Sequence, residues 1–284
     1  IEPLGQDVLA IGDITDRRFV KHLLAEYRPS ALVHFAAESH VDRSIEDPSA
    51  FISTNIVGTY ELLEVVHESM HHLPEHFLFL HVSTDEVYGS LGPLGHFSEA
   101  SPYAPSSPYA ASKAASDHLV RAYHKTYGLS TVVTHCSNNY GPRQFPEKLI
   151  PVIIHRALEG KPIPVYGDGS NVRDWLHVSD HCAALRLVLD RGVDGQTYDI
   201  GGGKEISNLQ LAHRLCAILD EEAPGPRPYA DQITMVADRL GHDHRYAIDS
   251  SKIRLQLGWR PTIDFEQGLR STVQWYLQRR KEAP

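Results

Sequence analysis

The sequence predicts an α/β protein on a doubly wound, Rossmann-like parallel sheet, with a smaller α/β lobe toward the C-terminus. Three observations carry this. Short apolar runs, ALVHFAA at 31–37, FLFLHVS at 77–83 and TVVTHC at 131–136, alternate with stretches of helical periodicity. Each run ends in a polar cluster, at 36–40, 83–89 and 137–142. In parallel βαβ units such clusters share the carboxyl edge of the sheet, where ligands bind. The chain also has 284 residues, 42% of them hydrophobic, enough for one large core with an added lobe.

The elements follow in order. DVLAIGD at 7–13 reads as a first short strand. Residues 16–27 place Phe19, Leu23, Leu24 and Tyr27 on one helical face. After the strand at 31–37, a long helix is expected from about Pro48 to Met70, with Phe51, Ile52, Ile56, Leu62, Leu63 and Val66 inward. The strand at 77–83 leads into a Gly- and Pro-rich loop over 89–108. Ser107 is a good N-cap and Pro108 a good first residue for a helix reaching Tyr127. With the strand at 131–136, residues 1–150 read as the doubly wound half, which would bind a ligand at its strand ends. Past Pro151 the pattern is less regular: a helix at 152–160, segments at 162–169 and 172–178, helices at 179–190, 207–220 and 265–280, and a Pro-rich break at 223–228. Residues 151–284 read as a substrate lobe interleaved with the first half.

Composition excludes several classes. The net charge of −9, without a block of like charges, argues against a nucleic-acid partner. No apolar run reaches the 18 or so residues of a membrane span. Cys136, Cys182 and Cys216 are far apart and odd in number, which suggests a reducing compartment. No metal is expected: no CxxC spacing occurs, and the HExxH spacing at His67–His71 falls inside a dense histidine group with no cysteine beside it. The dense histidine group at 67–72 reads as a solvated helix end.

The chemistry gathers at the strand ends. Asp85 and Glu86 stand side by side where a core strand stops. Burying one unpaired carboxylate is costly. Two together raise one pKa and leave a proton shared between an acid and a base. Neighbours in a strand point to opposite faces, so the pair can serve one substrate only if the chain leaves strand geometry at Asp85. The plain alternative is two solvated loop acids. Tyr109 and Lys113 are four apart on a helix, hence on one face. An ammonium beside a phenol favours the phenolate, a base for oxidising an alcohol with a nicotinamide. The alternative here is a surface tyrosine beside a solvated lysine.

Together with HFAAESHVDRS (34–44), NIVGT (55–59), STDEVYG (83–89), SNNYGP (137–142), FPEKLIP (145–151) and RDWLHV (173–178), this pattern resembles the extended short-chain dehydrogenase/reductase superfamily. Within it, the chain is similar to nucleotide-sugar 4,6-dehydratases, closest to those acting on dTDP-glucose. Thr84, Asp85 and Glu86 are the most specific match, since epimerases of the superfamily generally lack the acidic pair. The resemblance implies an NAD cofactor and a 4-keto-6-deoxy sugar nucleotide as product. Tyr109 and Thr84 would act on the C4 hydroxyl, Lys113 would support Tyr109, Glu86 would take the C5 proton, and Asp85 would protonate the leaving C6 hydroxyl. Asp13 and Ile14 would approach the adenine. Phe35, Ala36, Ala37, Ser39, Thr54, Ser83 and Asn139 would line the cofactor with Tyr109 and Lys113. Ser39, Thr84, Asn138, Glu147, Lys148 and Leu149 would meet the sugar and diphosphate. Pro164 to Tyr166 would form the base pocket. Arg173, Asn208 and Arg239 would hold the diphosphate, with His242 beside them. DRLGHDHRY departs from the family pattern at Leu240 and His244. A cytoplasmic homodimer, paired through a four-helix bundle of 48–70 and 107–127, is likewise implied. UDP-glucose as substrate, an epimerase, and a non-catalytic sugar-nucleotide binder stay open as alternatives.

The glycine fingerprint of a dinucleotide-binding first unit does not occur in the 284 residues, and Gly201–Gly203 does not replace it. The resemblance would place roughly 40 more residues before Ile1, a βαβ unit alone taking about 30. The expectation is therefore a longer chain, and weak NAD binding without turnover if the molecule starts at Ile1.

Overall fold

Residues 8–282 are described by a computed structural model. Local sequence starts and stops the helices. The Asp16 carboxylate accepts the N–H groups of Arg18 and Phe19, at 3.0 and 3.1 Å, and opens α1 (Arg17–Tyr27). Strand β1 (Ala31–His34) and the short α2 (Val41–Glu46) follow. Next, α3 (Ser49–Phe51) runs into a π-helical stretch, Ile52–Gly58, and on into α4 (Thr59–Ser69). The helix expected over 48–70 is continuous but wider in its middle. The cause lies in Asn55, whose backbone carbonyl accepts the hydroxyls of Thr59 and Ser116, both at 2.6 Å. Side chains that claim a carbonyl compete with the regular helical bond.

Strand β2 (Leu78–Thr84) passes into a 3-10 turn, Asp85–Tyr88. Ser107 caps α5 (Pro108–Tyr127), and Gly128 closes it in the left-handed region at φ 70°. Then come β3 (Thr131–Cys136), β4 (Asn138–Tyr140), α6 (Leu149–Leu158), β5 (Ile163–Tyr166), β6 (Val172–His177), α7 (Val178–Arg191) and β7 (Thr197–Ile200). Strand β8 (Glu205–Ser207), α8 (Asn208–Glu222), β9 (Ile233–Val236), α9 (Ser251–Leu257) and α10 (Phe265–Glu282) complete the chain.

The main sheet has the order β1-β2-β3-β7, every pair parallel. Alternate side chains feed two layers. Phe79 and Val133 pack with Leu62, Leu63, Val66 and Val120 of α4 and α5. Leu80 and Val132 pack with Leu185, Val188 and Ile253 of α7 and α9. Helices on both faces make the sheet doubly wound, as the alternation of runs predicts. A third core, with Ile150, Ile154, Leu211, Leu215, Leu269 and Val273, joins α6, α8 and α10 to the small sheets β4-β6-β8 and β5-β9.

Two expectations are corrected. Residues 8–13 form no strand, and Asp7 lies outside the described residues. A strand exists through pairing, and none of the described strands pairs with this segment. Residues 138–140, expected as polar loop, form β4, because Asn138 to Tyr140 align in parallel with Trp175 to His177. Gly202 has a packing reason: a Cβ there would stand 1.9 Å from the Trp175 carbonyl oxygen. Among the described residues, no helix is long and apolar enough to cross a membrane.

Candidate active site

Strand geometry ends at Thr84, with φ −138° and ψ 152°. The Thr84 hydroxyl then accepts the Glu86 N–H at 3.3 Å, and the chain tightens into the 3-10 turn. Asp85 and Glu86 thus leave the strand at the position that lets both serve one site. Gly89 closes the turn at φ 82°, where a Cβ would press to 2.3 Å from the Ala104 carbonyl oxygen.

The two carboxyls sit in unlike surroundings. Asp85 is 2% exposed, and its Oδ2 has no partner. Burial, then Glu86 and Asp174, hold its pKa well above the usual carboxylate range, against the pull of Arg173 and Thr84. Burial also raises Glu86, but Arg173, Lys148 and Arg239 each oppose the rise. Asp85 keeps a proton more readily, and Glu86, facing three cations, is the better held anion.

Tyr109 enters from the first turn of α5. Its N–H donates to Ser44 Oγ at 3.2 Å, and its ring meets Phe51 edge-on at 6.3 Å. Its phenol lies well above its ordinary pKa through burial, then Glu86, Cys136 and Asp85, while the Thr84 hydroxyl opposes. Tyr109, Thr84 and the two acids therefore lie within one another's electrostatic reach. Lys113 lies one helical turn on from Tyr109, buried on the same helical face. Its Nζ donates to the Val82 carbonyl at 2.9 Å. Its own pKa is lowered by burial, and Asp117 supports its charge.

The outer residues form a second ring of contacts. Lys148 Nζ donates to the Ser39 carbonyl at 2.5 Å. Glu147 pairs with Arg43 and lies 3.5 Å from His40. Arg239 Nε lies 2.6 Å from Asp42, whose other oxygen accepts the Tyr166 hydroxyl at 3.3 Å. The Arg239 guanidinium stands over the Tyr166 ring at 5.4 Å, and His242 meets that ring edge-on at 6.2 Å. Arg173 is buried, donates to the Asp243 carbonyl at 2.9 Å and covers the Tyr246 ring at 4.3 Å. Asn138 and Asn208 each carry a buried Oδ1 without a partner, and so does the Ser83 hydroxyl. Pro164 lies half-buried on β5.

Other predicted residues are placed differently. Leu149 opens α6 and packs against the third core. Asn139 is engaged within the fold, donating to the Ser137 carbonyl and facing His181 Nδ1, both at 3.0 Å. Phe35 and Ala36 are exposed beyond β1, with Ala37 half-buried. Asp13 is exposed and accepts the Thr15 N–H and hydroxyl, both at 2.8 Å. Ile14 lies against Gly58, and Thr54 sits half-buried in the π-helical stretch. Three residues escaped the sequence reading: Asp42, Ser44 and Asp174. Asp42 and Ser44 lie inside the 34–44 motif, which was the available signal. A cavity of about 510 Å³ beside Gly201–Gly203, Trp259 and Arg260 contains neither of the two acids nor Tyr109. Converging side chains, not cavity volume, mark the site.

The family model described as GDP-mannose 4,6 dehydratase matches residues 4–272. A dTDP-glucose 4,6-dehydratase of Xanthomonas campestris pv. campestris is 57% identical over 283 residues, covering 98% of this chain and 81% of that protein. The chain belongs to the dTDP-glucose 4,6-dehydratase family. A Neisseria meningitidis dTDP-glucose 4,6-dehydratase is 58% identical, over 93% of this chain and 77% of that protein. The crystal structure of the dTDP-glucose 4,6-dehydratase DesIV from Streptomyces venezuelae, with NAD and TYD bound, superposes with a TM-score of 0.87 at 47% identity, over 95% of this chain and 80% of that one.

Proposed function

We infer that the chain dehydrates dTDP-glucose to dTDP-4-keto-6-deoxy-glucose, with NAD as cofactor. The observation that carries this is the unlike pair of adjacent acids sharing one site with Tyr109. An alcohol oxidation needs the tyrosine alone. An elimination needs, in addition, one acid that keeps its proton and one that has lost it.

The residues fit NAD. At the ends of β1 and β2, small side chains at Ala36, Ala37 and Ser83 leave a low surface, and the buried Ser83 hydroxyl is without a partner. Asp13, Ile14, Phe35 and Thr54 would extend that surface, with Tyr109, Lys113 and Asn139 at its inner end. When bound, the dinucleotide supplies a cationic ring that accepts hydride from C4 and returns it to C6. Tyr109 would take the C4 hydroxyl proton as phenolate, with Thr84 holding the same oxygen; burial and the two acids disfavour that form, and the Lys113 ammonium together with the cationic ring would favour it in the loaded site. The ketone at C4 acidifies the C5 hydrogen, which Glu86 removes as Arg173, Lys148 and Arg239 stabilise its anionic form. Asp85 gives its proton to the departing C6 hydroxyl, so water leaves and a C5–C6 double bond forms. Glu86 returns the proton to C5 as C6 is reduced, and the proton that Tyr109 gained balances, by exchange with solvent, the one that Asp85 gave up. Arg173 and Arg239 would hold the diphosphate by paired guanidinium contacts, with Asn208 and His242 beside them. Tyr166 and Pro164 would bound the base. Ser39, Asn138, Glu147, Lys148 and Leu149 would enclose the sugar.

The same reading makes residues 1–150 the cofactor half and 151–284 the substrate lobe. It also proposes a cytoplasmic homodimer paired through the helices at 48–70 and 107–127. Exposed Ile52, Val57, Tyr60 and Tyr127 on those helices support the pairing. The test is incubation of the NAD-loaded protein with dTDP-glucose and, separately, UDP-glucose. Formation of the 4-keto-6-deoxy product from dTDP-glucose, without net reduced cofactor, is expected. No such product from folded, NAD-loaded protein would reject the reading.

A further inference from the structure

Behind the catalytic turn lies a buried group of charges that the steps above do not use. Asp117, His135 and Asp199 are all fully buried. His135 on β3 and Asp199 on β7 are register partners in the main sheet. His135 Nδ1 is 2.9 Å from Asp199 Oδ1, and its Nε2 is 2.8 Å from Asp117 Oδ2. The Tyr88 hydroxyl donates to Asp199 at 2.9 Å, and the Tyr103 hydroxyl donates to Asp117 at 2.8 Å. The same two hydroxyls lie 2.8 and 2.9 Å from Nδ1 and Nε2, but each has a carboxylate to donate to, so a ring lone pair would face an anion; the geometry favours hydrogen on both nitrogens and a cationic ring. The two carboxylates hold its pKa up to about 9, against burial, the largest effect, which lowers it.

The two ends of this group are not random. Tyr88 is the last residue of the turn that begins at Asp85. Asp117 follows Tyr109 and Lys113 by steps of four on α5, and all three are buried on one helical face. His81 on β2 stands 3.2 Å from the second Asp117 oxygen. The imidazolium therefore spans from the element carrying the acids to the element carrying the tyrosine.

We propose that His135 is a positioning residue for the dehydration: held between Asp117 and Asp199, it ties Tyr88 to α5 and fixes the Asp85–Glu86 turn against Tyr109. The proposal rests on the reaction inferred above. It differs from a purely structural ion cluster in what it moves. A structural cluster sets how much protein is folded. A clamp between the two catalytic elements sets how well elimination follows oxidation.

The test uses the full, NAD-loaded chain as His135→Asn and as the double variant His135→Asn with Asp199→Asn. One asparagine amide can serve only one carboxylate, and the double variant removes the charge left stranded. Amide hydrogen exchange over residues 85–89, without substrate, is expected to speed about tenfold or more in His135→Asn, with β1 unchanged. On dTDP-glucose, kcat is expected to fall about 10- to 100-fold with KM within about twofold, and reduced cofactor to accumulate. The double variant, which lacks the stranded charge but also lacks the clamp, should regain stability and keep both effects; recovery of both without His135 would assign them to the stranded charge and overturn the proposal. Unchanged exchange at 85–89, or activity lost only in proportion to the unfolded fraction, overturns the proposal. If the unsubstituted protein makes no 4-keto-6-deoxy product, the inferred reaction fails, and the exchange measurement still decides whether His135 holds the turn.

Discussion

Asp85 and Glu86 are adjacent in sequence and opposite in what their neighbours ask of them. Asp85 is flanked by Glu86 and Asp174, which favour its neutral form. Glu86 faces Arg173, Lys148 and Arg239, which favour its anion. Removing the base should therefore separate the two halves of the reaction. Glu86→Gln keeps the shape and loses the proton acceptor. Its kcat is expected to drop about 10²- to 10⁴-fold, the usual range for a general base. Oxidation at C4 should persist, because Tyr109 and Thr84 remain and one anion that disfavours the phenolate is gone. Stopped-flow absorbance after mixing with dTDP-glucose should show reduced cofactor that builds up and decays slowly. Loss of both oxidation and elimination would remove the division of labour between the tyrosine and the acids.

At the scale of elements, the π-helical stretch at Ile52–Gly58 is a joint. Asn55 Nδ2 donates to the Glu38 carbonyl at 3.0 Å and to Ser112 Oγ at 2.8 Å, and its Oδ1 accepts the Glu38 N–H at 2.8 Å. One side chain thus binds the loop after β1 to α5. Asn55→Ala leaves buried polar groups without partners, which costs about 1–3 kcal/mol for each group stranded. For a chain of this size, about 1 kcal/mol lowers Tm by about 2–4 °C, so calorimetry should record a drop of several degrees. Local signals made much of this architecture legible. Ser107 with Pro108 marks a helix start in the sequence because caps act over a few residues. The departure from strand geometry at Asp85 was also foreseeable, from the need to aim two neighbours at one place. The π-helical stretch was not, because its cause includes a hydroxyl from Ser116, 61 residues away. Strand β4 carries no alternation to read and exists through its alignment with β6. His135 looked like one histidine in an apolar strand, since its carboxylates come from 18 and 64 residues away.

For the whole molecule, β7 is the stitch. It comes from the later half of the chain yet lies beside β3 in the main sheet, with Asp199 meeting His135 across the register. The stability of this junction should depend on pH with a definite sign. His135 faces Asp117 on α5, Asp199 on β7, Tyr88 after β2, Tyr103 in the following loop and His81 on β2, with Lys113 one helical turn from Asp117. Its folded pKa is raised to about 9, above the ordinary histidine value of about 6.5. A group raised on folding contributes stability that is complete below its unfolded pKa and is lost as pH climbs through the folded one. Asp117 is shifted the other way, downward, by His135 and His81 against burial. Its contribution is present above the ordinary aspartate range and is lost on acidification. Between those limits both contribute. The expected result is a Tm difference between the unsubstituted protein and His135→Asn that is largest near pH 6 and shrinks steadily toward pH 9–10. Calorimetry across that range, at constant ionic strength, measures it. A difference that stays flat would mean that His135 does not carry a proton gained on folding, and the two halves of the chain would then be joined without the charge that β3 and β7 enclose.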